Sequence, residues 1–125
     1  MKKILFVILV ILLLLSIFAT GCGLLWVSYP APIEDVAIWA DESLPPQYFV
    51  DAVSVEITTC DHFDSYSVTR AGSTTIIIEI INLRIGTVCP DESSYVEHTI
   101  PLGSDFVPGV NYTVEVNSVI ETFVA

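Results

Sequence analysis

Residues 74–83, with the sequence TTIIIEIINL, decide the fold class of this chain. β-Branched side chains fit the pleated surface of a strand and lose side-chain freedom in a helix. The run is also too short in strong helix formers to favour a helix. Apolar residues occupy both faces of this segment, and few polar residues interrupt them. We therefore predict a central strand that is buried on one face and partly covered on the other.

Shorter segments with a period of two lie on both sides of this strand. Val53, Val55 and Ile57 alternate with polar residues, which is the pattern of a half-buried strand. Further strands are predicted around Tyr66 and Val68 and over residues 33–39, 93–102, 111–117 and 119–125. Short strands separated by Gly and Pro turns predict an all-β protein, built as a single antiparallel β-sandwich behind an N-terminal helix.

Residues 102–116, LGSDFVPGVNYTVEV, contain a turn that is typical of such sandwiches. Pro108 and Gly109 precede Tyr112, which opens an alternating strand. This order resembles the corner of the immunoglobulin-like and fibronectin-like domains of bacterial surface proteins. The resemblance implies that the Tyr112 ring packs under the corner and that its hydroxyl bonds a nearby backbone group.

The N-terminus has the order of a bacterial secretory signal. Lys2 and Lys3 precede an apolar run over residues 4–15, and small residues lead to Cys22. The segment Ala19-Thr20-Gly21-Cys22 resembles the lipobox of bacterial lipoprotein signals, although Leu is usual where Ala19 stands. The resemblance implies that the mature chain begins at Cys22 and is held by a lipid at the cell membrane or outer envelope, with its domain on the extracytoplasmic side.

An uncleaved anchor helix is the alternative. The apolar stretch from Ile4 to Val27 is 24 residues long, and about 20 residues span a bilayer. Trp26 would then lie at the outer interface. Under the lipoprotein interpretation, residues 1–21 are the signal peptide, residues 22–46 a lipidated tether with a possible edge strand, and residues 47–125 the β-sandwich domain.

The charge of the chain limits its partners. The formal net charge is −11, and loss of the signal would leave Arg70 and Arg84 as the only strong cations against 15 acidic residues. Such a surface repels phosphate backbones, which excludes nucleic acid, and it is not attracted to anionic lipid headgroups. Attachment to a membrane must therefore come from the N-terminus, and an envelope protein is a possible partner.

The cysteines fit an exported protein. If Cys22 carries lipid, Cys60 and Cys89 remain and predict one disulfide. It would close a loop of about 30 residues and stabilise the fold by roughly 3–4 kcal/mol. The chain departs from antibody domains, because no Trp lies between these cysteines and no Cys follows Tyr112 by two residues. Free buried thiols are the alternative.

Acidic residues follow both cysteines. A disulfide would gather Asp61, Asp64, Asp91 and Glu92 in one region, and calcium prefers such oxygen ligands. His62 and His98 with a carboxylate would instead suit zinc. The simplest interpretation is a solvated acidic loop beside a structural disulfide, and no cofactor is expected.

Motifs for catalysis are weak. The chain has no G-x-S-x-G segment and no glycine-rich phosphate loop, and both histidines are expected at the surface. The sequence therefore predicts a lipid-anchored extracytoplasmic β-sandwich with a non-enzymatic binding or structural role. A calcium-binding module is the alternative, and a small hydrolase is a second one.

Overall fold

The computed structural model describes residues 1–18 and 26–125. It contains one helix and eight strands: α1 (Lys2–Phe18), β1 (Trp26–Pro30), β2 (Ile33–Ala40), β3 (Tyr48–Thr58), β4 (Asp61–Arg70), β5 (Thr75–Ile85), β6 (Asp91–Gly103), β7 (Asn111–Val116) and β8 (Val119–Val124). Cys22 and the small residues before it lie outside the described residues. No helix in the described part of the chain is long and apolar enough to cross a membrane. Trp26 and Val27 belong to β1, so the apolar helix of the anchor alternative does not continue through them.

Two sheets pack face to face, which confirms the predicted β-sandwich. The smaller sheet has the order β2-β3-β6, with β3 at its centre. The larger sheet contains β4, β5, β1, β7 and β8, and β5 pairs with three of them, as the isoleucine-rich sequence predicted for a central strand. One pairing departs from the antiparallel prediction, because β5 and β7 run parallel from Thr75↔Thr113 to Ile78↔Val116.

Strands β1 and β7 share one edge of β5, end to end. β7 pairs with residues 75–78 of β5 and β1 with residues 81–85. Asn117 fills the gap between them: its Oδ1 accepts from Ile80 N at 2.9 Å, and its Nδ2 donates to the carbonyls of Ala31 and Ile80 at 2.8 and 2.7 Å. The larger sheet is therefore four strands wide where β7 and β8 lie and three where β1 lies, whereas the smaller sheet is three strands wide.

The sandwich includes residues of the segment 22–46 that the sequence assigned to a tether. β2 is the edge strand expected there, and it pairs with β3 along its whole length. β1 was not anticipated, since Pro30 and Pro32 obscure its short pattern. Ala31, between the two strands, is only 2% exposed and belongs to the core.

The core lies between the sheets. Its buried side chains are aliphatic and come from five strands and the β1–β2 link: Ala31, Val36, Val50, Ala52, Ile76, Ile78, Ile80, Ile100, Val114 and Val116. Partly buried apolar residues of β2, β6, β8 and the loop at Phe106 pack against this cluster. Within the described residues, β4 contributes no side chain to it.

Candidate functional site

A disulfide joins Cys60 to Cys89, as the sequence predicted. Their Cα atoms are 5.3 Å apart, and the bond ties the turn between β3 and β4 to the segment before β6. Gly86 lies against it with φ +127°, and a Cβ there would stand 3.1 Å from Cys60 Sγ. Only glycine fits this close approach without strain.

Asp61, the first residue of β4, makes an ion pair with Arg84 of β5. Arg84 Nε and Nη2 donate to the two carboxylate oxygens at 2.7 and 3.0 Å, and Thr58 N donates at 2.8 Å. The Asp61 side chain is 0% exposed, whereas that of Arg84 is 37% exposed. Its hydrogen bonds to Arg84, more than offsetting burial, hold the pKa of Asp61 far below its usual range.

The predicted metal set is not assembled as a ligand cage. Asp61 and Glu92 line one shallow depression with His62 and with Glu56, which the sequence did not single out. Both Asp61 oxygens are occupied by Arg84 and Thr58, and Glu56 accepts from Phe63 N and Ser94 Oγ. In residues 1–18 and 26–125, no group of three His, Cys, Asp or Glu side chains is placed to hold a metal. Asp64 and Asp91 are exposed.

A polar network continues from Asp61 into the core. The Tyr29 hydroxyl lies 3.5 Å from Asn82 Nδ2, which also donates to Val55 O at 2.9 Å. The Arg84 guanidinium lies 5.4 Å from the centre of the Tyr29 ring. Burial raises the pKa of Tyr29, so its hydroxyl stays protonated. The network thus holds β1 to β5 and to the facing sheet.

His98 differs from the expected surface histidine. It lies on β6, is 8% exposed, and its Nε2 is 2.8 Å from Ser54 Oγ of β3. Burial lowers the pKa of His98, which favours the neutral ring. No sequence pattern marked this pair, because the two residues are 44 positions apart.

One long side of the sandwich, between β4 and β6, is left uncovered, and we call it the open side. Tyr66 and Val68 of β4 lie opposite Ile80 and Ile78 and so share the inward face of the larger sheet. Both isoleucines are 0% exposed, whereas Tyr66 is 44% and Val68 41% exposed. The smaller sheet is too narrow to reach them.

Two contacts close the ends of the open side. At the end near the disulfide, the Phe63 ring lies 4.6 Å from the His98 ring. At the other end, the Arg70 guanidinium lies 4.6 Å from the centre of the Phe106 ring. Tyr66 and Val68 are exposed on the inward face of β4 between these two contacts, and we call this uncovered strip the groove.

The corner residues behave as the resemblance implies. Tyr112 is 3% exposed, and its hydroxyl accepts a hydrogen bond from Val107 N at 2.9 Å. Gly109, after Pro108, has φ +80° and donates to Ala125 O at 2.7 Å. The Tyr112 ring packs with Phe106 and Phe123 at centroid distances of 4.9 and 5.4 Å.

Two packed sheets around one apolar core define a β-sandwich protein. Residues 52–125 match the family model of the ORF11 beta-sandwich domain. This match covers more than half of the chain, so the protein belongs to the ORF11 beta-sandwich domain family. The chain has no match among curated proteins or solved structures.

Proposed function

We propose that this protein is a non-enzymatic binding protein, held by a lipid on Cys22 at the extracytoplasmic side of the cell envelope, and that its open side receives a protein partner. One observation carries the binding role. Tyr66 and Val68 lie on an inward sheet face yet remain more than 40% exposed. Covering these two side chains would remove apolar surface from water, which favours association with a partner.

The N-terminus supports attachment to a membrane. The helix α1 consists of Lys2 and Lys3 followed by apolar residues, the composition of a secretory signal. The disulfide between Cys60 and Cys89 fits an oxidising compartment outside the cytoplasm. The domain itself offers Arg70 and Arg84 against many carboxylates, so a lipid is needed to keep it at a membrane surface.

The polar groups of the sandwich support binding rather than catalysis. Ser54 is 0% and His98 8% exposed, and the two side chains are bonded to each other. Asp61 is neutralised by Arg84. These groups satisfy one another, which is the usual role of buried polar side chains.

The test has an anchoring part and a binding part. We expect the purified mature protein to begin at an acylated Cys22 by mass spectrometry, and Cys22→Ala to move it from the membrane to the soluble fraction. For binding, a photo-crosslinking phenylalanine analogue replaces Tyr66 in living cells, and the control carries it at Thr122, exposed on β8. An intact Met1 in the membrane-bound protein would refute the lipid anchor. Equal crosslinking from both positions would refute the open side as the binding surface.

A further inference from the structure

We infer that the open side is completed by an extended, basic segment of a partner protein, which adds to β6 as a fourth strand of the smaller sheet and covers Tyr66 and Val68. The inference rests on the proposed binding role and names the chemistry of the partner. It is argued from the widths of the two sheets, the free edge of β6, the exposed side chains of β4 and the charge of this region.

At the end of the sandwich that contains β7 and β8, the two sheets differ in width by one strand. There the larger sheet has the four strands β4, β5, β7 and β8, and the smaller sheet has three. On the side away from the groove, β2 lies against β8. The missing position is therefore opposite β4, next to β6. One added strand would give two sheets of equal width at this end of the sandwich.

The edge of β6 offers backbone groups to such a strand. β6 spans 13 residues and, among the described strands, pairs only with β3. Alternate N–H and C=O groups of an edge strand point away from its neighbour and are free to pair with an incoming chain. Pro101 has no N–H to give and lies between His98 and Phe106, in the part of β6 that runs along the groove, so the added strand pairs with the β6 residues on either side of it. Peptide recognition by strand addition uses this geometry.

The side chains of β4 set the pattern of the incoming segment. Tyr66 and Val68 are two residues apart and point to the same face. Successive side chains of a strand alternate between faces, so every second residue of the added strand would contact them. The segment is therefore apolar at alternate positions and polar between them.

The charge of both edges decides between a partner and a second copy of this chain. Asp64 lies at the irregularity in β4 between Phe63 and Ser65, and Glu97 lies on β6. Arg70 is the only cation of β4 and is placed over Phe106 at the end of the groove. A second copy would bring the same carboxylates to this surface and be repelled, whereas lysine or arginine side chains are attracted.

The experiment uses the full chain in neutral detergent and a synthetic peptide in which lysine alternates with valine. Three control peptides are a scrambled one of the same composition, one methylated on alternate backbone nitrogens, and one with glutamate in place of lysine. We expect the first peptide to bind and to slow hydrogen exchange of β6 backbone amides. The methylated and acidic peptides should bind at least about tenfold more weakly, since one loses hydrogen bonds and the other is repelled.

Protein variants locate the site. Tyr66→Ala should weaken binding about tenfold, because less apolar surface is buried, while Thr69→Ala, whose side chain lies on the outer face of β4, should not. Glu97→Gln should lower the affinity for the lysine peptide and make it less dependent on salt. Glu121→Gln on β8 should leave both properties unchanged. Thermal unfolding checks that each variant is folded.

Three results would overturn the inference: no exchange protection of β6, equal binding of the methylated peptide, or protection at β2 or β8 instead. A dimer of the full chain that Tyr66→Ala dissociates would also overturn it, because the occupant would then be a second copy. If any of these results is obtained with a chain that is acylated and membrane-bound, the inference fails but the lipid anchor is supported. If the N-terminus is unprocessed but β6 is protected, only the lipid anchor is refuted.

Discussion

On one long side of the sandwich β2 lies against β8, whereas on the other side β4 and β6 are bridged by the rings of Phe63 and His98. We call the first the closed side. On the closed side, Phe123 of β8 packs against the core and against Tyr112. On the open side, Tyr66 faces the same interior as Ile80, yet close to half of its surface is exposed. Position in the sheet, more than residue type, therefore decides burial.

The same comparison shows how an uncovered strand is kept in place. β4 lacks cover along much of its length, but its beginning is fixed. Cys60 precedes it and is bonded to Cys89, and Asp61 is paired with Arg84 of β5. Besides its pairing with β5 along its whole length, β4 is therefore held at both ends, since Arg70 lies over Phe106 at the other end. Its middle has no cover from the smaller sheet.

The largest expected effect comes from removing the disulfide. Replacement of both Cys60 and Cys89 by Ser should lower the free energy of unfolding by about 3–4 kcal/mol, because the unfolded chain regains the freedom of a loop of about 30 residues. Denaturant unfolding of the full chain in neutral detergent measures this. Hydrogen exchange should rise more in β4 than in β8, and equal rises on both sides would contradict the comparison.

The next effect contrasts two neighbours on one face of the larger sheet. Ile80→Ala should cost about 3 kcal/mol, since it leaves a cavity in a closed core. Tyr66→Ala should cost less, roughly 1–2 kcal/mol, because 44% of the residue is already exposed and its loss leaves no closed cavity. Comparable losses for both variants in chemical denaturation would show that the open side is covered in solution.

The ion pair at the start of β4 gives a pH-dependent effect. Asp61→Asn should lower the free energy of unfolding by about 2 kcal/mol at neutral pH. The neutral amide loses the charged hydrogen bonds from Arg84 and replaces them only in part.

The sign of the pH dependence follows from the lowered pKa of Asp61 in the folded state. In the unfolded chain the pKa of an aspartate is about 4, and above that pH the pair stabilises the fold fully. This contribution falls as the pH falls below that pKa. Unfolding free energies measured from neutral to acid pH should therefore converge for wild type and Asp61→Asn. Parallel curves would show that Asp61 is not paired.

The smallest effect concerns the corner beside the closed side. Tyr112→Phe keeps the ring packing with Phe106 and Phe123 but removes the hydrogen bond from Val107 N. We expect a loss of about 1 kcal/mol in the free energy of unfolding. Val107→Ala is a matched control that keeps this bond, and an unchanged stability of Tyr112→Phe would show that the hydroxyl is bonded to water instead.

Local patterns predicted much of the fold. The isoleucines of residues 74–83 identified the central strand β5, and alternation identified β3 and β7. The site was predicted less well. Asp61 was expected as a metal ligand, and its actual partner Arg84 is 23 residues away. A carboxylate and a guanidinium at that distance in sequence carry no local signal of their pairing.

The sequence by itself determined the corner at Tyr112, the pairing of Cys60 with Cys89 and every strand except β1, because alternation, turn chemistry and cysteine number are local or countable properties. Only the tertiary structure decided that β7 runs parallel to β5, that His98 is buried against Ser54, and that Tyr66 stays exposed. These facts depend on which strands become neighbours and how wide each sheet grows. Both are set by contacts between residues far apart in the chain, and the groove between β4 and β6 is their product.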